Sequence, residues 1–135
     1  MSVRINIDSK DHELYKFLSE KSREDPEGSP FLLMKNVFMW AVSIGVKKQI
    51  RRPLSSKKEQ IFSTDIFSEN IEMSILKAIA VSETGNVEVL TNEDEIIRIA
   101  EEYANEGIHH LRHELMEKPG ERLWNLVNLI REENI

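Results

Sequence analysis

The chain has 135 residues, 40% of them hydrophobic and 31% charged, with a formal net charge of −6 and a pI near 5.3. That is the length of one domain (residues 1–135) with one hydrophobic core, and too apolar for a disordered chain. The absence of cysteine excludes disulfides and thiolate metal sites. No apolar run reaches membrane-spanning length and the start lacks a leader pattern, so the expected place is the cytoplasm, away from any membrane.

In chain order, Val3, Ile5 and Ile7 alternate with Arg4, Asn6 and Asp8, a period of two that predicts a half-buried strand. Asp8 or Ser9 then caps a helix running to about Arg23, with Asp11 and Glu13 in its first turn and Leu14, Phe17 and Leu18 as its apolar stripe. "DPEGSP" breaks it. A second helix runs from Phe31–Met34 to about Lys48. Met34, Val37, Phe38, Ala41 and Ile44 recur at core spacing along it, with Trp40 beside them and Gly45 inside it or near its end. Pro53 forbids its continuation.

"LSSKKEQ" reads as a loop and "IFSTDIF" as a short extended or irregular piece. A third helix begins near Ser68 or Asn70, turns Ile71, Ile75, Ala78 and Ile79 inward, and stops at Gly85. "VEVL" is a candidate second strand. A long helix follows, capped by Thr91 or Asn92, with Ile96, Ile99, Ala100, Tyr103 and Leu111 at core spacing and Gly107 as a candidate kink. "PG" at 119–120 ends it, and "ERLWNLVNLIREEN" closes the chain as a short amphipathic helix. The class is mainly α: about five helices with one or two short strands.

Charge is divided unevenly. Residues 1–60 hold 12 Lys/Arg and 8 Asp/Glu, a net of +4, whereas residues 61–135 hold 6 and 16, a net of −10. Two faces with different partners, two halves that attract each other, or chance clustering on a solvated surface all fit that division. Six of the cations fall in "GVKKQIRRPLSSKK", Gly45–Lys58, with no acid among them. A polyanion would relieve their mutual repulsion, which makes Lys47, Lys48, Arg51, Arg52, Lys57 and Lys58 candidate DNA-backbone contacts. The rival is that this segment folds against the chain's own acidic half.

A lone strand of five or six residues needs a partner for its backbone groups. One partner is "VEVL" in the same chain. The other is the same strand of a second copy, giving an antiparallel ribbon and a homodimer. The order strand, helix, turn, helix matches the ribbon-helix-helix arrangement, in which outward side chains of the ribbon read base edges in the major groove. Arg4 and Asn6 would be those side chains here, suiting guanine and adenine.

Independently of that topology, "PFLLMKNVFMWAVSIGVK", "RRPL", "ILKAIAVSETGNVEVL" and "IAEEYANEGIHHL" occur in that order between Pro30 and Leu111. Together they resemble a family of small proteins associated with DNA phosphorothioation (Dnd) systems, the Dnd-system-associated protein four family. The resemblance implies an accessory role beside a system that replaces a non-bridging phosphate oxygen of DNA with sulfur, with that system's other proteins as partners. It implies no reaction, no cofactor and no catalytic residue.

The remaining candidate site is "EGIHHLRHE", where Glu106, His109 and His113 share one helical face. His-x₃-His spacing can chelate a metal, but the segment is not HExxH and no fourth ligand is evident. Glu101 and Glu102 are adjacent and point to different faces. Trp40 and Trp124 read as core or interface residues, with base stacking as the alternative. Three functions follow: a non-enzymatic accessory protein that contacts DNA through its basic half, an adaptor whose acidic half docks a protein partner, and a metal-assisted hydrolase.

Overall fold

The computed structural model describes residues 3–24, 33–117 and 122–132. The "DPEGSP" break, the "PG" stop and the side chain of Trp124 lie outside what it describes. Among the described residues there are five α-helices and a two-stranded antiparallel sheet. The elements are β1 (Arg4–Asp8), α1 (His12–Glu24), α2 (Met34–Lys48), β2 (Lys58–Ser63), α3 (Glu72–Thr84), α4 (Glu93–Arg112) and α5 (Arg122–Glu132).

The centre of the molecule is α2 laid along α4. Val37, Phe38, Ala41 and Ile44 of α2 are buried, as the spacing predicts, against Ile96, Ile99, Ala100, Tyr103 and Leu111 of α4. Two glycines set their separation. A Cβ on Gly107 would run into the Ala41 carbonyl oxygen, and one on Gly45 into that of Tyr103. Each helix thus lacks a side chain where the other's backbone comes closest. Gly107 marks this contact rather than a kink, since α4 runs unbroken from Glu93 to Arg112.

Strand β1 is paired inside the chain with β2, not with "VEVL". Arg4 faces Ser63, Ile5 faces Phe62, Asn6 faces Gln60 and Asp8 faces Lys58, with a register shift between Ile5 and Asn6 that leaves Ile61 as an extra residue. The Asn6 amide donates instead to the Glu101 carboxylate of α4, at 2.6 Å. This bulge obscures the strand in the sequence, because it breaks the period of two. "VEVL" is a 3₁₀ turn, Val87–Thr91. It is held between Gly85 in the left-handed conformation (φ 65°) and the Asn92 cap of α4, whose side chain accepts from the Glu95 amide.

Two stripes differ from expectation. On α1 the buried apolar residues among those described are Leu14, Tyr15 and Leu18, with Phe17 turned outward. On α3 the inward residues are Met73, Leu76 and Ala80, whereas Ile71 and Ile75 are exposed. Finally, α2 stops before Pro53 is reached. Gln49 takes the left-handed conformation (φ 60°), and the Gln49 and Ile50 amides close the turn on the Val46 and Gly45 carbonyls. Among the described residues no helix is long and apolar enough to cross a membrane.

Candidate functional site

Leaving α2, the basic segment crosses the flank of α4 and is fastened at each step. The Arg52 amide donates to the Glu102 carbonyl at 3.0 Å. The Asn105 side-chain amide donates to the Arg52 and Pro53 carbonyls at 3.1 and 3.2 Å. The Ser55 amide donates to the buried Asp8 carboxylate at 2.7 Å, and the Ser9 amide to the Lys57 carbonyl at 3.0 Å, where β2 begins. This is an ordered strap between α4 and the end of β1.

The strap sorts its cations into three kinds. Arg51 is engaged internally: its guanidinium donates to Glu83 of α3 at 2.8 Å and to Glu102 of α4 at 3.0 and 2.7 Å. Arg98 bonds Glu102 from the other side at 3.1 Å and also pairs with Glu95. Burial lowers the pKa of Arg51, but the bonds to Glu83 and Glu102 outweigh it and raise it. Tyr103 donates to Glu83 at 2.6 Å, and these two bonds hold Glu83 below the usual carboxylate range. Burial followed by that bond pushes Tyr103 up to about 12. A polar recess of about 490 Å³ opens here, lined by Gln49, Arg51, Glu83 and Tyr103.

Arg52 is engaged and yet exposed. It donates twice to Glu106, at 2.9 and 2.7 Å, while its own side chain keeps 57% of its surface in solvent. Lys47 and Lys48 sit at the end of α2, with Lys47 at 3.4 Å from the Ile130 carbonyl. Lys57 and Lys58 are exposed at the turn into β2. The two ribbon residues also part company: Arg4 is exposed at the far end of β1, whereas the Asn6 side chain lies 3.4 Å from Glu101.

Beside the strap, the start of α1 and the end of α4 add cations that no local sequence pattern singles out. Lys10 adjoins the Ser9–Lys57 link. Arg112 reaches to 3.6 Å from the buried Asp11 carboxylate. Burial raises the pKa of Asp11, against the pull of His109, Lys10 and Arg112. Tyr15 is buried nearby and its pKa is likewise raised by burial. Burial also lowers the pKa of His109, and Lys10, Arg52 and Arg112 act in the same direction. Lys10, Arg52, Lys57, Lys58 and Arg112 therefore form a cationic rim, while Asp8, Asp11 and Glu106 lie buried beneath it. The exposed acid on β2, Glu59, faces His12 at 3.6 Å.

The His run does not converge. Glu106 takes Arg52 and His110, the latter at 2.7 Å. Burial pushes Glu106 up, but these two bonds outweigh it and hold it below its ordinary value. His109 faces Asp11, and His113 belongs to the π-helical turn His113–Glu117 that follows α4, so the seven-residue spacing to Glu106 no longer shares one helix. No group of three or more His, Asp or Glu among the described residues is placed to hold a metal. Glu101 and Glu102 do point apart, Glu101 to Asn6 and Glu102 to Arg51 and Arg98.

Residues 4–134 match the family described as DNA sulphur modification system-associated protein 4. Neither a curated protein nor a solved structure matches the chain.

Proposed function

The chain belongs to the DNA sulphur modification system-associated protein 4 family, and from that membership and its charge layout we propose that it is a non-enzymatic accessory protein that grips the DNA backbone through the rim of Lys10, Arg52, Lys57, Lys58 and Arg112. The observation that carries this reading is the burial of Asp8, Asp11 and Glu106 beneath exposed cations in a chain of net charge −6. Asp8, Asp11 and Glu106, which would repel phosphates, are withdrawn, and the strap that presents the lysines is fastened to β1 and α4, so little ordering accompanies contact.

Such a rim contacts phosphates, not base edges. Of the two ribbon residues suited to base reading, Arg4 lies at the other end of β1, and Asn6 is occupied by Glu101. The grip is therefore indifferent to sequence, which suits a system whose sulfur is carried on the phosphate. Support for a non-enzymatic role comes from the pairing of the acid and base groups on α4: Glu106 with Arg52 and His110, Glu102 with Arg51 and Arg98.

Fluorescence anisotropy of a labelled duplex titrated at several KCl concentrations tests the proposal. Each neutralised phosphate contributes about −0.9 to the slope of log affinity against log salt, so five cations give roughly −4 to −5. Absence of binding at low salt, or binding that does not weaken as salt rises, would refute it.

A further inference from the structure

Beneath the cationic rim, four polar side chains meet where the start of α1 faces the end of α4. Asp11, in the turn that leads into α1, and Tyr15, four residues on, are each 1% exposed. His109 and Arg112 stand three residues apart on one face of α4. Arg112 Nη2 comes to 3.6 Å from the Asp11 carboxylate, and the charge of Asp11 is felt at both His109 and Tyr15. Yet both Asp11 oxygens, the Tyr15 hydroxyl, His109 Nε2 and Arg112 Nε are buried, and none of these atoms has a hydrogen-bond partner among the described residues.

A polar atom that loses its water on folding and gains no bond carries its full desolvation penalty. Native proteins therefore bond such atoms to protein groups or to ordered water, and orphans are few and scattered. Here they gather in one place and on both sides of one helix contact, which calls for a ligand they share.

We propose that Asp11, Tyr15, His109 and Arg112 hold an internal water molecule that links the start of α1 to the end of α4. The set is mixed in what it offers: Asp11 has two acceptor oxygens, Arg112 Nε donates, and the Tyr15 hydroxyl and a neutral imidazole can do either. Water serves both kinds at once and makes about three bonds in such a site. A cation would meet Arg112 and Lys10, and an anion would meet Asp11, so a neutral ligand suits the charges better. Burial also favours the uncharged forms of Asp11, Tyr15 and His109, which removes the main attraction for an ion. The 3.6 Å between Arg112 Nη2 and Asp11 is too long for a direct bond, whereas one water at about 2.8 Å reaches both groups.

Two measurements on the full chain test this. A high-resolution crystal structure should show a solvent peak within about 3.2 Å of the Asp11 carboxylate and of at least one of Tyr15 Oη, His109 Nε2 and Arg112 Nε. The four side chains bonded directly to one another with no peak between them would overturn the proposal. So would a peak at about 2.0–2.2 Å from Asp11 and His109 with anomalous signal, which would make the ligand a metal ion. The second measurement is the sign of the change in Tm for Tyr15→Phe, followed by circular dichroism. A hydroxyl bonded to the water contributes to stability, so its removal should lower Tm by about 3–5 °C. A hydroxyl that is truly unpartnered opposes folding, so an unchanged or raised Tm would overturn the proposal as well. Both readouts are made without DNA, so their failure leaves the reading of the rim standing.

Discussion

Replacing Arg51 by Ala should destabilise the fold without weakening DNA contact, because Arg51 fastens the strap to α3 and α4 at once. It makes three charged hydrogen bonds, to Glu83 and Glu102, with its side chain only 23% exposed. Hydrogen bonds between charged groups contribute about 1.5–3 kcal/mol net, and stranding a buried charge costs about 3–5 kcal/mol. Neither carboxylate is stranded here, since Glu83 keeps Tyr103 and Glu102 keeps Arg98. The loss is therefore nearer the lower figure, about 2 kcal/mol, which in a chain of this length lowers Tm by roughly 5–8 °C. Thermal melts followed by circular dichroism at neutral pH measure it. Arg51→Lys should recover less than half of the loss, because an ammonium cannot fork between two carboxylates. A change in Tm under about 1 °C, below any reading of these bonds, would refute the reasoning. So would a flattened salt slope for DNA in Arg51→Ala at unchanged Tm, which would return Arg51 to the phosphates.

Two further predictions concern the core. In Gly107→Ala the new methyl meets the Ala41 backbone rather than a side chain that can rotate away, so the overpacking cost falls at the upper end of about 1–3 kcal/mol. Helix propensity returns about 1 kcal/mol, leaving a net loss of about 2 kcal/mol by urea unfolding, and a stabilised variant would show that α2 and α4 do not touch there. Burial pushes the pKa of Glu101 from 4.5 up to about 7, so the folded state holds this proton in a range where the unfolded chain has released it. A raised carboxylate penalises folding progressively as pH climbs from 4.5 to 7 and fully above that. Glu101→Gln should therefore raise Tm at pH 8, by up to about 3 kcal/mol of stability, with the gain shrinking at pH 5; an equal effect at both pH values would contradict it.

Much of the helical frame is legible in the sequence because its signals are local. The stripe Val37, Phe38, Ala41 and Ile44, the Asn92 cap and the stop at Gly85 all rest on spacings within a few residues, and the structure carries each of them. Strand β2 is not legible. Lys58, Glu59 and Gln60 are all exposed, and the bulge at Ile61 breaks the alternation that marks a strand. The orientation of α3 is ambiguous for another reason: Ile71 and Ile75 compete with Met73 and Leu76 for the inward face, and only packing against α4 decides. The pairing of Arg51 and Arg52 with Glu102 and Glu106 spans more than fifty residues and leaves no local pattern. Its one trace is the opposite net charge of the two halves. Lys10 and Arg112 leave not even that, being a hundred residues apart and drawn together only by the packing around Asp11.

The central claim, that the rim grips the DNA backbone, is tested most directly by comparing salt slopes of duplex binding for the wild type and for Lys10→Ala with Lys57→Ala and Lys58→Ala. All three lysines are exposed, so the fold is retained. Loss of three phosphate contacts should flatten the slope by about 2.7 and weaken binding alike on duplexes of unrelated sequence. A slope unchanged in the triple variant but flattened by Lys47→Ala with Lys48→Ala would contradict the account and move the DNA to the end of α2.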